Sequence, residues 1–160
     1  MLALKVVLFI LFVQATALFW IPYFIVHACG EHVVVDWWAL SGLVAITLGG
    51  MAVLMCDWDF AASGKGTPAP IDPPRTLVRR GLYRAVRNPM YVGVVTVLLG
   101  ESLVFNSVCL LVYAIGLWLA FHLFVVLYEE PTLRRTFGME YQNYCATVPR
   151  WIPRLRAWDN

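Results

Sequence analysis

The sequence predicts an all-α integral membrane protein with four transmembrane helices. The third and fourth fold back as a helical hairpin, and a cytosolic amphipathic helix follows them. Three observations predict this. Hydrophobic residues make up 61% of the 160-residue chain and charged residues 14%, with a mean hydropathy of +0.71. Soluble domains run near a quarter charged, so a soluble core cannot absorb this much apolar side chain, whereas lipid can. Apolar stretches near the length that crosses a bilayer recur four times. The basic residues all fall on one side of the bilayer that those stretches imply.

The spans follow in order. The first covers about 4–26 and is interrupted only by mild residues such as Gln14 and Thr16. Lys5, the apolar run and Ala15-Thr16-Ala17 imitate a secretory signal. The run continues through Leu18-Phe19-Trp20 to Val26, which is too long for a signal core and right for an anchor. The second span covers about 33–56, with Trp37, Trp38 and Trp58 placed for the headgroup levels at its two ends. The third, about 90–105, is short and carries Glu101; the fourth, about 108–128, carries His122. Only Asn106 and Ser107 separate them, which predicts a tight hairpin. The chain reads as one domain, 1–160.

Charge sets the orientation. Lys5 precedes the first span, and Lys65, Arg75, Arg79, Arg80, Arg84 and Arg87 lie in the 57–89 loop. Arg134, Arg135, Arg150, Arg154 and Arg156 follow the fourth span, which accounts for all 12 Lys and Arg. Both termini and the loop are therefore expected in the cytosol, in a bacterial inner membrane. Within the loop, Gly64, Gly66, Pro68, Pro70, Pro73 and Pro74 predict an extended segment, either a linker or a flap over a site. Gly64-Lys65-Gly66 lacks the spacing and the following Ser or Thr of a phosphate loop. In the 129–160 tail, Leu133, Phe137, Tyr141 and Tyr144 mark one face of a helix of about four turns. Trp151 and Trp158 among Arg150, Arg154 and Arg156 suit a headgroup interface. Cys29, Cys56, Cys109 and Cys145 form no C-x-x-C pair, so no metal or redox site is expected. They read as small apolar packing residues, although a disulfide is open to Cys29 and Cys109 on the outer side.

Two polar blocks remain where a plain anchor would be featureless. One runs from Leu77 through Arg87-Asn88-Pro89-Met90-Tyr91 to Gly93. The other is Glu129-Glu130-Pro131, continued by Phe137-Gly138-Met139-Glu140-Tyr141, Tyr144 and Val148-Pro149-Arg150. The hairpin brings both to one membrane face. Together they offer arginines, carboxylates, an amide and tyrosine rings, suited to a charged aromatic cofactor beside an apolar cleft. His122, inside a span, is a functional candidate, set against a histidine satisfied by a neighbouring backbone carbonyl or serine. Glu101 reads as a buried contact to Ser102 or Asn106. Glu129 and Glu130 also fit simple capping of the helix that Pro131 opens. The outlying arginines read as headgroup contacts, so no nucleic acid is expected as a partner.

These blocks resemble the isoprenylcysteine carboxyl methyltransferase and phospholipid methyltransferase superfamily, over Gly64 to Pro153. The resemblance implies S-adenosylmethionine as cofactor and a lipid-like acceptor. It implies cofactor contacts at Arg75, Thr76, Leu77, Val78, Tyr83, Asn88, Pro89, Met90, Tyr91 and Glu129. Asn88 stands where the family carries His and cannot titrate. Val125 stands where the prenylcysteine enzymes orient substrate with Arg, which argues against a carboxylate clamp. On this reading Arg87 meets the cofactor carboxylate and Tyr91 faces the reacting centre. Glu129 or His122 takes a proton where the acceptor is an amine. A non-catalytic membrane adaptor, or an NADPH-dependent reductase of the sterol reductase type, are the alternatives.

Overall fold

The computed structural model describes residues 10–33, 36–63 and 77–154, with backbone alone at 10–11 and 60–63. Lys5, the Gly64–Pro74 loop, Arg75, Thr76, Arg156 and Trp158 lie outside the described residues. Those described form helices and connections, with no strand among them. Two π-helical turns, Ile10–Gln14 and Thr16–Trp20, lead into α1 (Ile21–Cys29). There follow α2 (Trp37–Ser63), a 3-10 turn (Gly81–Arg84), α3 (Pro89–Val104) and α4 (Val108–Phe124). A further π-helical turn (Val125–Glu129) leads into α5 (Glu130–Phe137), and α6 (Met139–Thr147) is last.

Three helices are long and apolar enough to cross a membrane: Phe12–Cys29, Trp37–Asp59 and Val108–Phe137. The expected third span is a shorter apolar helix, α3, of 16 residues. Local chemistry sets these boundaries. Gly30 closes α1 in the left-handed region at φ 66°. Asp36 accepts from the Ala39 amide at 2.8 Å and starts α2. Pro89 opens α3 at a position whose amide would be unpaired in any case. Phe105, Asn106 at φ 46° and Ser107 make the tight hairpin expected there. The Ser107 hydroxyl accepts from the Leu110 amide at 2.9 Å to cap α4.

The last part of the chain departs from expectation twice. The fourth span does not stop at Tyr128; α4 widens into the π-helical turn and continues as α5. Pro131 has no amide to give, and the regular ladder loosens just before it. The predicted four-turn helix is instead two short helices, because Gly138 takes φ 53° between them. The predicted apolar face survives the break. Tyr141, Tyr144 and Val148 are buried in one cluster with Leu133 and Phe137, and that cluster packs on Leu77.

Where the end of α1 meets the start of α4, Cys29 and Cys109 form a disulfide rather than serving as packing residues, and so tie the two helices together. Glu31 lies within 4.8 Å of both sulfurs; with the sulfurs bonded to each other, the group offers a lone carboxylate. Glu101 does not contact Ser102 as expected. The Ser102 hydroxyl donates to the Leu99 carbonyl at 2.7 Å, and one Glu101 oxygen is buried without a partner.

What positions α3 is its contact with α2. Gly42 meets Gly100 and Gly49 meets Gly93, and a Cβ on any of the four would lie 2.6–2.9 Å from the opposite backbone oxygen. Both pairs repeat at seven residues, so one face of each helix is bare backbone over two turns. Between helices in lipid there is little hydrophobic driving force, and close backbone approach supplies the attraction. Val53, Val94, Leu98 and Ala114 form the centre of the bundle, with Leu18, Tyr113, Leu117 and Phe121 packed around them. Leu40, Val44, Leu48, Met51 and Met55 of α2 are exposed, as lipid-facing side chains would be.

A Gly49→Ala or Gly100→Ala substitution should lower the unfolding free energy in detergent micelles by about 1–3 kcal/mol. At Gly116 a Cβ meets nothing within 4 Å; Gly116→Ala should stay within about 0.5 kcal/mol of wild type. Equal effects at all three sites would remove the glycine contact as the determinant of helix position.

Candidate active site

The residues before α3 and those after α6 meet at one end of the bundle, with Asn88 and its partner Arg150 62 residues apart. Three hydrogen bonds lace the closing segment, 149–154, across the segment 85–88. The Arg87 amide donates to the Pro149 carbonyl at 2.9 Å, and the Arg154 amide donates to the Ala85 carbonyl at 2.9 Å. The Asn88 side-chain amide donates to the Arg150 carbonyl at 3.1 Å. Asn88 thus fastens backbone to backbone.

Beneath this strap lies Glu130. One of its oxygens accepts from Arg87 at 2.9 Å and from Arg150 at 2.7 Å. Its other oxygen takes a second Arg150 donor at 3.0 Å, so the Arg150 contact is a two-point fork. Glu130 is 5% exposed, far more buried than a helix-capping residue needs to be. The hydrogen bond to Glu130 holds the Arg150 guanidinium above its usual range. Arg87 also donates to the Cys145 sulfur at 2.9 Å, yet its Nε is buried and has no partner. The sequence had offered Glu130 only as a cap; its burial depends on two arginines that the chain supplies from 43 and 20 residues away.

The neighbouring glutamate takes a different partner. Tyr91, in the first turn of α3, donates its hydroxyl to Glu129 at 3.1 Å. Its ring stacks on Phe121 at 4.6 Å between centroids. Glu129 sits in the π-helical turn, where the backbone departs from the α-helical ladder. Such turns recur at functional sites.

Tyr83 is half-buried and packs, with Val78 and Leu82, against the buried pair Cys56 and Met90. Burial raises its hydroxyl well above the usual tyrosine range, and nearby Cys56 and Glu129 add to the rise. It is therefore a neutral phenol, a hydrogen-bond donor and not a base. Its own carbonyl accepts from the Tyr144 hydroxyl at 2.6 Å, which joins the 3-10 turn to α6. A Cβ on Gly81, at φ 52°, would collide with Asp59, so this turn also rests on the end of α2.

The expected site residues separate into groups. Arg87, Asn88, Pro89, Met90, Tyr91 and Glu129 gather at one end of the bundle, with Val78 and Tyr83 beside them. Leu77 turns instead toward Tyr141 and Tyr144. His122 goes elsewhere: its Nδ1 accepts from the Trp151 indole at 3.1 Å, and Trp118 stacks on it at 5.6 Å. An indole nitrogen can only donate, so the proton of a neutral His122 sits on Nε2. Trp151 thus anchors the strap to α4. Gln14 and Asp57, absent from the sequence-level candidates, meet inside the bundle: the Gln14 amide donates to Asp57 at 2.9 Å. A cavity of about 460 Å³ opens beyond the strap, lined by residues such as Thr147, Pro149 and Ile152 and by none of the expected site residues.

Comparison with known proteins bears on what this arrangement does. Residues 37–140 match the model of the phospholipid methyltransferase family. Protein-S-isoprenylcysteine O-methyltransferase B of Arabidopsis thaliana is 31% identical over 78 residues, covering 48% of this chain and 39% of that protein. The Mus musculus Protein-S-isoprenylcysteine O-methyltransferase is 35% identical over 83 residues, 51% of this chain and 29% of that one. The Schizosaccharomyces pombe enzyme of the same name is 38% identical over 80 residues, 49% and 34% of the two chains. The match therefore spans well under half the length of each of these relatives. No solved structure gives a significant match.

Removing the Glu130 charge leaves two guanidiniums crowded around a neutral group. Glu130→Gln should cost about 3–5 kcal/mol of stability and expose 149–154 to protease in the native state. Both are read in micelles, by denaturant titration and by limited proteolysis. A variant as stable and protease-resistant as wild type would show that the strap holds without this ion cluster.

Proposed function

Since the chain belongs to the phospholipid methyltransferase family, we propose that it is a membrane-embedded, S-adenosylmethionine-dependent methyltransferase acting on a lipophilic acceptor. The observation that carries this reading is the pairing of Tyr91 with Glu129 at 3.1 Å, beside an Arg87 whose buried Nε has no partner. Counting α3 as a fourth span gives a helix of about 24 Å, short for a bilayer core but enclosed by α2 and α4. With four spans both termini lie on one side, and the basic residues assign that side to the cytosol.

The residues fit the cofactor's chemistry. An unpaired buried donor is costly unless something occupies it, and the free Nε of Arg87 suits a carboxylate such as that of the cofactor's amino-acid portion. Glu129 can accept from amino or ribose hydroxyl groups. Tyr83, held neutral by burial, offers a phenol and a ring face. Arg75 and Thr76 belong to this contact set through the family resemblance. When bound, S-adenosylmethionine supplies a methyl group on a sulfonium, already activated for displacement.

The chain's own part is then placement and exclusion of water. Stacking on Phe121 fixes the Tyr91 ring, and the hydrogen bond to Glu129 fixes its hydroxyl. A reacting pair must be brought to about 3–3.5 Å and kept dry. The strap, held by Glu130, closes the solvent side. Where the acceptor carries a proton, Glu129 can receive it. His122 is the poorer candidate, because Trp151 already occupies its basic nitrogen. An acceptor with long alkyl or prenyl chains enters sideways from lipid and gains about 0.8 kcal/mol for each methylene buried.

Calorimetric titration of the purified chain with S-adenosylmethionine tests this. Glu129→Gln and Arg87→Lys should each weaken binding by about tenfold or more, equivalent to at least 1.4 kcal/mol. Tyr91→Phe should lower the rate of methyl transfer to a lipid extract by a larger factor than it weakens cofactor binding. Absence of binding by the wild type would end this assignment.

A further inference from the structure

Where α1 ends and α4 begins, three side chains with metal-binding chemistry converge. The sulfurs of Cys29 and Cys109 and a carboxylate oxygen of Glu31 all lie within 4.8 Å of one another. The two cysteines are 80 residues apart in sequence and are joined as a disulfide. One Glu31 oxygen is buried and has no partner among the described residues. No Lys or Arg occurs in 27–36 or in 105–117 to neutralise it. A buried acceptor left without a donor or a cation is costly and calls for one. Cys109 opens α4 and Glu129 lies past its far end, so about 30 Å of helix separates this group from the proposed methyl-transfer site.

The local backbone fixes where these donors stand. Gly30, left-handed at φ 66°, turns the chain back after Cys29, and the Glu31 amide donates to the Val26 carbonyl at 3.1 Å. That bond holds Glu31 against the helix end that carries Cys29. Ser107 caps α4, which puts Cys109 in its first turn, where the free amides and the helix dipole favour a negative sulfur. Cys29 is exposed, so solvent reaches the pair. While the sulfurs are bonded to each other the carboxylate stands alone. Reduced, the same atoms become two thiolates and a carboxylate, three of the four ligands of a tetrahedral zinc site. Donors held about 2.0–2.3 Å from one zinc ion lie about 3.3–3.8 Å from each other, which side-chain rotation can reach from the present spacing. Thiolates with a carboxylate suit zinc better than the hard cations magnesium and calcium.

We propose that Cys29, Glu31 and Cys109 form a redox-controlled zinc site, in which the disulfide is the metal-free form and reduction creates the ligand set. A dithiol reductant supplies two electrons and two protons. The S–S bond breaks, two thiols form, and the reductant closes to its own disulfide. Zinc then displaces the two thiol protons, takes Glu31 as third ligand and keeps a water as fourth. The tie between α1 and α4, lost with the S–S bond, is remade through the ion. None of these residues belongs to the methyl-transfer site, so the zinc site stands or falls apart from that reading.

The full chain in detergent micelles tests this with Zn²⁺ alone. Oxidised chain, and chain reduced with a phosphine and then freed of it, are each mixed with excess Zn²⁺, desalted and assayed for bound metal by mass spectrometry. The reduced chain should retain about one zinc and the oxidised chain none. Cys56 and Cys145 are thiols in both samples, so the difference reports on the disulfide pair. Zinc should shield Cys29 and Cys109 of the reduced chain from maleimide, as located by peptide mapping, and a chelator should restore labelling of both. Glu31→Gln should weaken zinc binding about tenfold or more. Equal zinc on oxidised and reduced chain overturns the proposal, and this comparison requires no variant to fold. Loss of all zinc from the reduced chain on desalting overturns it too, as does maleimide labelling of Cys29 and Cys109 that zinc leaves unchanged. Full affinity in Glu31→Gln removes the carboxylate ligand, and with it the site as assigned.

Discussion

One buried carboxylate holds the candidate-site end of this protein together. Glu130 faces two guanidiniums, Arg87 from the segment before α3 and Arg150 from the strap after α6. An unpaired Glu130 charge at this depth is costly, so its burial favours the arrival of both arginines. Their assembly brings 85–88, the start of α5 and 149–154 to one place. Asn88 and the backbone bonds to Pro149 and Ala85 then lace the strap down. Trp151 pins the strap's far side to His122 of α4. Glu130 and Glu129 are adjacent in sequence and divide the labour: one is spent on structure, while the other keeps a single tyrosine hydroxyl and stays available.

This clasp is useful only if α3 is correctly placed, because Arg87, Asn88 and Tyr91 enter with it. The bare glycine faces of α2 and α3 do that placing. The repeat of seven fixes rotation as well as distance, because turning α3 would carry Val97 or Val104 into α2 backbone. Rigid placement of α3 has a consequence for chemistry. Tyr91 is fixed between Phe121 and Glu129 by a helix that has little freedom to shift, and the methyl transfer proposed for this site would be sensitive to displacements of about an ångström.

Much of this was legible in the sequence, for reasons that can be stated. The hairpin followed from two polar residues between apolar runs, and Asn106 with Ser107 make it. The meeting of the two polar blocks followed from the hairpin. The spacing of Leu133, Phe137, Tyr141 and Tyr144 gave a face that persists although Gly138 breaks the helix carrying it. What was not legible depends on partners remote in sequence. Nothing local to Glu130 announces Arg150, and nothing local to His122 announces the indole of Trp151. Gln14 reads as a blemish in an apolar span until Asp57 arrives from the next helix. The π-helical turn was hidden for a different reason: its residues, Val125 to Glu129, suit an α-helix equally well, and only the proline beyond them signals a change. The glycines, whose small size is their whole signal, mean nothing until two helices are paired.

The central claim is that Glu130 couples the two polar blocks, and a double-mutant cycle measures that coupling most directly. Arg150→Met, Glu130→Gln and the double variant, unfolded in micelles alongside wild type, give the interaction energy of the Arg150–Glu130 pair. A coupling of about 1.5 kcal/mol or more is predicted. Strictly additive effects would contradict it: the two blocks would then be brought together by something other than this carboxylate.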